Sequence, residues 1–393
     1  MQATVITVNA GSSSIKLGLF DADGGDVPIA TSLLDRIGSE DAKASIKVAD
    51  GPHEAIPLPA GSGRDHASGL AATLSELAKH APAPIAALGH RIVHGGEGFS
   101  SPVLADDAVL EQLEKLVPLA RSHQPHGLAG IRALRSQMPD LPQVCSFDTA
   151  FHATLPKAAS TIALPLEIRS RGVRRYGFHG LSYQWAAQRL PSLLGEVSNG
   201  RVIVAHLGNG ASLCGLVAGK SRATTMGFTP LDGLVMGERP GLTDPGAILF
   251  MFEEMGLSDF EVRDILFKRS GLLGLSGLSN DMRTLLASAD PNAALAIEVY
   301  IHRIVREIGA IAAEIGGADA LVFTGGVGEN ATEIRTRILE KLDWLGFADR
   351  DRSGIGDSPA PSGDDAKPVV VLPANEEAII ASDAREFVGH SGL

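Results

Sequence analysis

Cysteine is nearly absent, with two residues, Cys145 and Cys214, in a chain of 393. Both stand in apolar, strand-like runs, so no disulfide framework is available and a reducing, cytoplasmic setting is expected. Long apolar runs are missing too. No uninterrupted stretch of about 20 apolar residues offers a membrane span, and the start, MQATVITVNAG, has neither the basic leader nor the apolar length of a signal peptide. A soluble protein with no membrane partner is expected. Basic charge is in deficit, with 34 Lys and Arg against 46 Asp and Glu for a net −12. That balance gives no general electrostatic support to a nucleic-acid partner. The length suffices for a sizeable core and, at about 150 residues per domain, for two domains.

Glycine, by contrast, is plentiful at 45 residues, and it gathers in turns. Val5 to Val8 and Ser14 to Phe20 read as two strands joined by the small, hydroxyl-rich turn NAGSSS, a hairpin by alternation and turn chemistry. The pattern recurs 197 residues later. At that single offset Val5 falls on Val202, Ile6 on Ile203, Gly11 on Gly208, Gly18 on Gly215 and Leu19 on Leu216. The second copy, VIVAHLGNGASLCGLV, is again an apolar run, a glycine-rich turn and an apolar strand, which points to an internal repeat of about half the chain. Elsewhere helices and short strands alternate as in an α/β protein. Asp106 caps an expected helix with Val109, Leu113, Leu116 and Ala120 on one face, and QVCSFD, Gln143 to Asp148, reads as a buried strand ending in an acid. Pro291 opens the longest expected helix, with Leu295, Val299, Ile304, Ile308, Ile311 and Ile315 on its apolar face until Gly316 and Gly317 stop it. ALVFTGG and VVVL, near residues 320 and 370, are two more buried strands. Ser353 to Lys367 reads as a polar surface loop.

Four glycine-rich turns directly follow apolar strands: NAGSSS after VITV, HGGE after HRIV, HLGNGAS after VIVA and TGGVGEN after ALVF. Backbone N–H groups in such turns can satisfy phosphate oxygens, and a helix N-terminus adds positive potential. Tight turns needing positive φ are the plainer explanation for some of them. Asn9, Asp148 and Glu376 each follow an apolar run, where oxygen ligands for Mg²⁺ would be placed directly or through water. Arg91 and Arg239 are candidate clamps on anionic oxygens, although a surface ion pair or a cap would account for any one of these residues alone. Other patterns are set aside. GLVAGKS, Gly215 to Ser221, has one residue too few between its glycines for a P-loop. His90 and His94 in HRIVH lack the glutamate of a zinc helix, and HQPH, His123 to His126, is equally weak as a metal pair.

In order from residue 9 to residue 377, the segments NAGSSSIK, HRIVHGGE, FDTAFH, YGFHG, HLGNGAS, MGFTPLDGLVMG, FTGGVGEN and NEE resemble the motifs of the acetate kinases, in the acetate/propionate kinase family, over nearly the whole chain. The resemblance implies the duplicated ribonuclease-H-like α/β fold of the actin, hexokinase and Hsp70 ATPase superfamily, two-domain with a central cleft. Residues 1–150 with 380–393 would form the N-terminal domain and 151–379 the nucleotide-binding one. It also implies a homodimer that reversibly transfers the ATP γ-phosphoryl to acetate, giving acetyl phosphate and ADP, with Mg²⁺ or alternatively Mn²⁺. Position by position, Asn9 and Glu376 match metal-associated residues, Lys16 a nucleotide-contacting lysine, and Arg91 the residue on the carboxylate or acyl phosphate. Asp148 matches the essential acid, expected to position the metal's water shell or an arginine rather than to remove a proton. His179 and Arg239 match the residues that stabilise the transferring phosphoryl. The turn His206, Leu207, Gly208, Asn209, Gly210 matches the nucleotide site, as do Asp281, Met282, Arg283 and the turn Gly326, Val327, Gly328, Glu329, Asn330. Val93, His123, Phe178 and Pro230 match the acyl pocket.

The chain departs from the family at RSHQP, Arg121 to Pro125, where members often read PLHNP. Ser122 replaces a pocket leucine and Gln124 an asparagine, which leaves the pocket's size and polarity open. Pro240 stands where serine is common. Two alternatives stay open: a kinase of the same fold for propionate or another short-chain acid, and a non-catalytic sugar or nucleotide sensor. The NAGSSS turn, rather than an NPGS type, weighs against butyrate. A sensor would be expected to carry an added DNA-binding helix-turn-helix and to be free to lose Asp148 or Arg239; both are kept, and no basic N-terminal extension is present.

Overall fold

The computed structural model describes residues 3–11, 14–59, 61–121, 123–347 and 366–390. The chain divides into two units, Met1–Phe151 with Asn375–Leu393, and His152–Ala374. The return to the first unit comes earlier than residue 380, because the helix Glu376–His390 packs on the first unit's sheet from its start.

The first unit contributes β1 (Thr4–Ala10), β2 (Ser14–Asp21), β3 (Ala30–Asp35), β4 (Lys43–Val48), β5 (His53–Ile56), β6 (Ile85–Ile92), β7 (Val103–Leu104) and β8 (Gln143–Phe147). They form one sheet in the order β5-β4-β3-β2-β1-β6-β8-β7. The second unit contributes β9 (Arg201–Leu207), β10 (Ala211–Val217), β11 (Lys220–Thr224), β12 (Ala320–Thr324) and β13 (Val369–Val371), in the order β11-β10-β9-β12-β13. β1 runs antiparallel to β2 and parallel to β6, which is parallel to β8. β9 likewise runs antiparallel to β10 and parallel to β12, which is parallel to β13. The same five-strand arrangement is therefore built twice, and this is the duplicated ribonuclease-H-like α/β fold.

The repeat holds to the residue for β1 and β9, whose ends both lie 197 positions apart. It then slips. Ile6 pairs with Leu19, whereas Ile203 pairs with Gly215, so Gly215 and not Leu216 is the counterpart of Leu19. The turn after β9 is one residue shorter, and the sequence matches of Gly18 with Gly215 and Leu19 with Leu216 are not structural equivalences. Close packing explains the glycine: a Cβ at Gly215 would lie 2.6 Å from Ile311 Cγ2 of the helix Pro291–Glu314.

Alternation along the first sheet feeds two cores. Val5, Phe20 and Ala87 pack with Ala381 and Ala384 of the helix Glu376–His390. Ile6, Val8, Leu19 and Leu88 face Leu70, Leu74 and Leu77 of the helix His66–Ala78 and Leu134 of the helix Gln124–Gln137. Among the described residues no helix is long and apolar enough to cross a membrane.

Two helix expectations need correction. Asp106 does cap a helix, accepting from Val109 N, but that helix is Asp107–Lys115, so Leu116 and Ala120 lie beyond its face. Pro118, in the 3-10 turn Val117–Leu119, disfavours helical backbone in the residue before it. The helix Pro291–Glu314 begins as expected after Asp290, yet Leu295 is 53% exposed, and Ala293, Ala296, Ile297 and Tyr300 form the buried stripe at that end. Leu295 is off the phase set by Ile304, Ile308 and Ile311. GLVAGKS is a hairpin whose two-residue turn, Ala218 and Gly219, has positive φ at both positions. Residues 353–365 of the expected surface loop lie outside the described residues.

Candidate functional site

In the first unit, polar side chains gather at or just past the C-terminal ends of β1, β6 and β8. Arg91 Nε donates to Asp148 Oδ1 at 2.9 Å and Nη2 to Oδ2 at 2.6 Å, a bidentate pair on a carboxylate that is almost wholly buried. The remaining Nη1 donates to Asn9 Oδ1 at 3.3 Å and lies 3.7 Å from Glu376 Oε2. Asn375 Oδ1 accepts from Ala378 N, capping the helix that starts at Glu376, so Glu376 and Glu377 occupy the first turn, where the helix dipole favours acids. Glu377 Oε1 pairs with Lys16 Nζ at 2.8 Å, and Lys16 is the cross-strand partner of Asn9. Burial pushes the Glu376 carboxyl up to about 7; the Arg91 charge opposes that shift, while Asp148 and Glu377 reinforce it. Burial works against the charge of Arg91, but the carboxylates of Asp148 and Glu376 hold its proton affinity above the ordinary value. On the same helix, Asp383 Oδ2 accepts from Ser146 Oγ of β8 at 2.6 Å. Burial raises the Asp383 carboxyl to about 6 in spite of that bond.

The second unit repeats the layout with different chemistry. His206 of β9 pairs across the hairpin with Ser212 of β10, the position that Asn9 and Lys16 hold in the first unit. Between them a Cβ at Gly210 would lie 3.1 Å from both Arg239 Nη2 and His179 Nε2, so the bare turn is what lets these two groups approach. Arg239 Nη1 donates to Pro230 O at 2.9 Å, and among the described residues no carboxylate pairs with this guanidinium. Burial lowers its proton affinity, which Glu238 partly offsets. Backbone bonds fix its loop: Gly237 N to Asn209 O, Ser270 N to Glu238 O and Leu272 N to Met236 O, each 2.9 Å. A Cβ at Gly237 would collide with Asn209 Oδ1. His179 precedes the helix Gly180–Leu194 in the left-handed region, φ 57°, a conformation that costs a non-glycine residue about 1–2 kcal/mol. Its ring stacks on His206 with centroids 4.4 Å apart. After β12 the chain turns into the short helix Gly325–Asn330, and Gly326 N lies 3.9 Å from where a Gly208 Cβ would stand, so the two glycine-rich turns adjoin.

Thus the first unit brings Asn9, Arg91, Asp148 and Glu376 into one network, with Lys16 beside it through Glu377. The second gathers His179, His206 to Gly210, Pro230, Arg239 and the start of the Gly326 to Asn330 turn. Glu329 Oε1 accepts from Ala374 N, and Asn330 Nδ2 donates to Gly326 O. Asp281 caps the helix Met282–Leu286; Met282 is core and Arg283 is exposed and paired with Asp281. Asn280, rather than these, packs near Gly237. Val93 and His123 belong to the first unit, Phe178 and Pro230 to the second. Gln124 is buried, its amide donating to His94 O at 3.0 Å and accepting from His94 N, so it braces the backbone. Ser122 lies outside the described residues. Nothing in the structure explains Pro240. Glu377, although inside the NEE segment, was not singled out from the sequence, and Ser146 and Asp383 were missed because neither sits in a turn with a chemical signature.

Among the described residues no three His, Cys, Asp or Glu side chains group to hold a metal. Asn9 Oδ1 and Glu376 Oε2 nevertheless converge on Arg91 Nη1, and both are hard oxygen donors. A cation held by so few protein oxygens would take water or phosphate oxygens in its other positions, as Mg²⁺ commonly does. Burial, reinforced by the neighbouring carboxylates of Asp148 and Glu377, raises the proton affinity of Glu376 despite Arg91, and a bound cation would relieve that cost. These residues fit a hard divalent cation.

The chain matches the family described as the acetokinase family over residues 4–382. A relative from Rhodopseudomonas palustris named acetate kinase is 46% identical over 393 residues, with 97% of each chain covered. Among solved structures, Porphyromonas gingivalis acetate kinase is 35% identical with a TM-score of 0.87, covering 98% of this chain and 100% of that one. A propionate kinase from Francisella tularensis matches at 35% identity and a TM-score of 0.87, covering 98% and 99%.

Proposed function

This chain belongs to the acetokinase family, and on that premise we propose that it reversibly transfers the γ-phosphoryl of ATP to acetate, giving acetyl phosphate and ADP. Arg239 carries the reading: a guanidinium that no carboxylate pairs among the described residues stands beside His179 Nε2 against a turn without side chains. That is an arrangement for anionic oxygens.

Acetate is ionised at neutral pH, so the reaction needs no general base. Its difficulty is charge, because a carboxylate must approach an anionic phosphate, and a loose in-line transfer asks mainly for alignment and positive potential. Arg91 takes the acceptor carboxylate through Nη1, while Asp148 grips the other side of the guanidinium and fixes its direction. Arg239 and His179 face the equatorial oxygens of the phosphoryl. The turns from His206 and from Gly326, with Asp281 to Arg283 and Lys16, serve the nucleotide. Mg²⁺, held through Asn9 and Glu376, would neutralise part of the phosphate charge. The family resemblance assigns Val93, His123, Phe178 and Pro230 to the acyl group.

The protein works as a cytoplasmic homodimer. The helix Pro245–Glu253, PGAILFMFE, buries none of its residues in the single chain, and Leu249, Phe250, Met255 and Phe260 are all more than half exposed. An apolar surface of this kind is what a second copy would cover.

The test is ADP release with acetate, propionate, butyrate or no acceptor, with the acyl phosphate trapped by hydroxylamine. Acetate-dependent release with matching hydroxamate supports the proposal; release that ignores the acceptor would overturn it.

A further inference from the structure

Three hydroxyl-bearing side chains in the second unit stand behind the two stacked imidazoles. Ser212 Oγ lies 2.9 Å from His179 Nδ1 and 2.5 Å from the Tyr183 hydroxyl, and Ser182 Oγ lies 2.8 Å from His206 Nδ1. Ser182, Tyr183 and Ser212 are buried. Both histidines turn their other nitrogen toward the bare turn: His179 Nε2 is 3.1 Å from a Cβ position on Gly210, and His206 Nε2 is 3.8 Å from one on Gly208.

Hydroxyl chemistry orders the protons along this chain. Ser212 has a single proton and two neighbours. A phenol is a stronger donor than an alkyl hydroxyl, so Tyr183 donates to Ser212, Ser212 donates to His179 Nδ1, and cooperative polarisation strengthens both bonds. An imidazole whose Nδ1 accepts must carry its proton on Nε2. His179 takes its left-handed backbone at the start of the helix that bears Tyr183, and Ser212 lies on β10. Ser182 Oγ stands against His206 Nδ1 in the corresponding place. We propose that Tyr183 and Ser212 are positioning residues that hold His179 as a neutral Nε2–H donor aimed at the phosphoryl-binding turn, with Ser182 doing the same for His206.

The arrangement suits a site already charged by Arg239. Two imidazolium rings stacked face to face would repel each other, whereas two neutral N–H donors add directed hydrogen bonds with no further buried charge. This inference rests on the proposed role of His179 at the phosphoryl group. Partners that fix an imidazole's tautomer are worth about 10- to 100-fold in metal sites, and a loss on that scale is expected here.

The experiment combines ¹⁵N-histidine NMR of the full chain at pH 7.5 with steady-state kinetics of Tyr183→Phe, Ser212→Ala and His179→Ala. In the natural protein His179 should show a bare Nδ1 and a protonated Nε2. Ser212→Ala should mix the tautomers and lower kcat about tenfold or more with little change in KM for ATP, and Tyr183→Phe should do the same more weakly. A natural His179 protonated on Nδ1, or unchanged tautomers and kcat in both hydroxyl variants, would overturn the inference. His179→Ala separates the two readings: if it leaves kcat intact, the role of His179 itself is wrong, whereas a damaged His179→Ala beside two unaffected hydroxyl variants condemns only the positioning chain.

Discussion

Asp383 gives a prediction that needs no substrate. Its carboxyl is buried on the helix Glu376–His390, bonded to Ser146, and raised from the ordinary aspartate value of 3.8 to about 6. Below pH 3.8 the folded and unfolded chains are both protonated there, and the side chain costs nothing. As pH rises toward 6 the unfolded chain ionises while the folded one resists, so stability falls; above the folded value the loss is complete. The rise from 3.8 to about 6 corresponds to at most roughly 3 kcal/mol. Asp383→Asn keeps an oxygen for Ser146 and removes the charge. At pH 8 the variant should be more stable than the natural protein by about 1–3 kcal/mol, and at pH 4 the gap should shrink to about 0.5 kcal/mol. Other titrating groups, Glu376 included, are common to both proteins and cancel in the difference. Samples equilibrated in urea at each pH and pulse-labelled at one common pH would report the unfolding of β6 and β8 by hydrogen exchange. A difference that does not vary with pH, or a variant less stable at pH 8, would refute the reasoning.

Other perturbations follow from the same geometry. Arg239→Ala should lower kcat by about 10³ with little change in ATP affinity, because its charge matters most where charge moves; unchanged turnover would remove it from the site. Arg91→Ala leaves Asp148 buried and unpaired, so it should destabilise the first unit by about 3–5 kcal/mol, and adding Asp148→Asn should recover much of that loss while KM for acetate stays high. An additive double variant would deny the coupling. Glu376, with its carboxyl near 7, must be ionised to bind a cation, so Mn²⁺ affinity measured by water relaxation should fall about tenfold from pH 8 to pH 6 and become flat in Glu376→Gln.

The sequence made the hairpin repeat legible because a glycine-rich turn between apolar strands is a local signal, and β1 and β9 fall at the expected offset. It misplaced the second strands by one residue because turn length, not identity, sets hairpin register. Leu295 and Ala120 were each placed on the apolar face of one helix by spacing, whereas the phase of the longer stripe leaves Leu295 exposed and the break at Pro118 puts Ala120, though buried, outside the helix. Arg91, Asp148, Asn9 and Glu376 could be nominated one by one from strand ends, but their shared network joins residues as far apart as Asn9 and Glu376. Asp383 with Ser146, and Tyr183 with Ser212, are tertiary pairs in ordinary helix and strand positions, so no local pattern marks them.

Phosphorus NMR of the protein with MgATP and ¹⁸O-labelled acetate tests the central claim most directly. Transfer of the γ-phosphoryl forms a C–O–P linkage through an acetate oxygen as the bond to ADP breaks. ADP and acetyl phosphate should therefore appear in equal amounts, the acetyl phosphate resonance bearing the ¹⁸O isotope shift. Formation of AMP and pyrophosphate, or of inorganic phosphate independent of acetate, would contradict it.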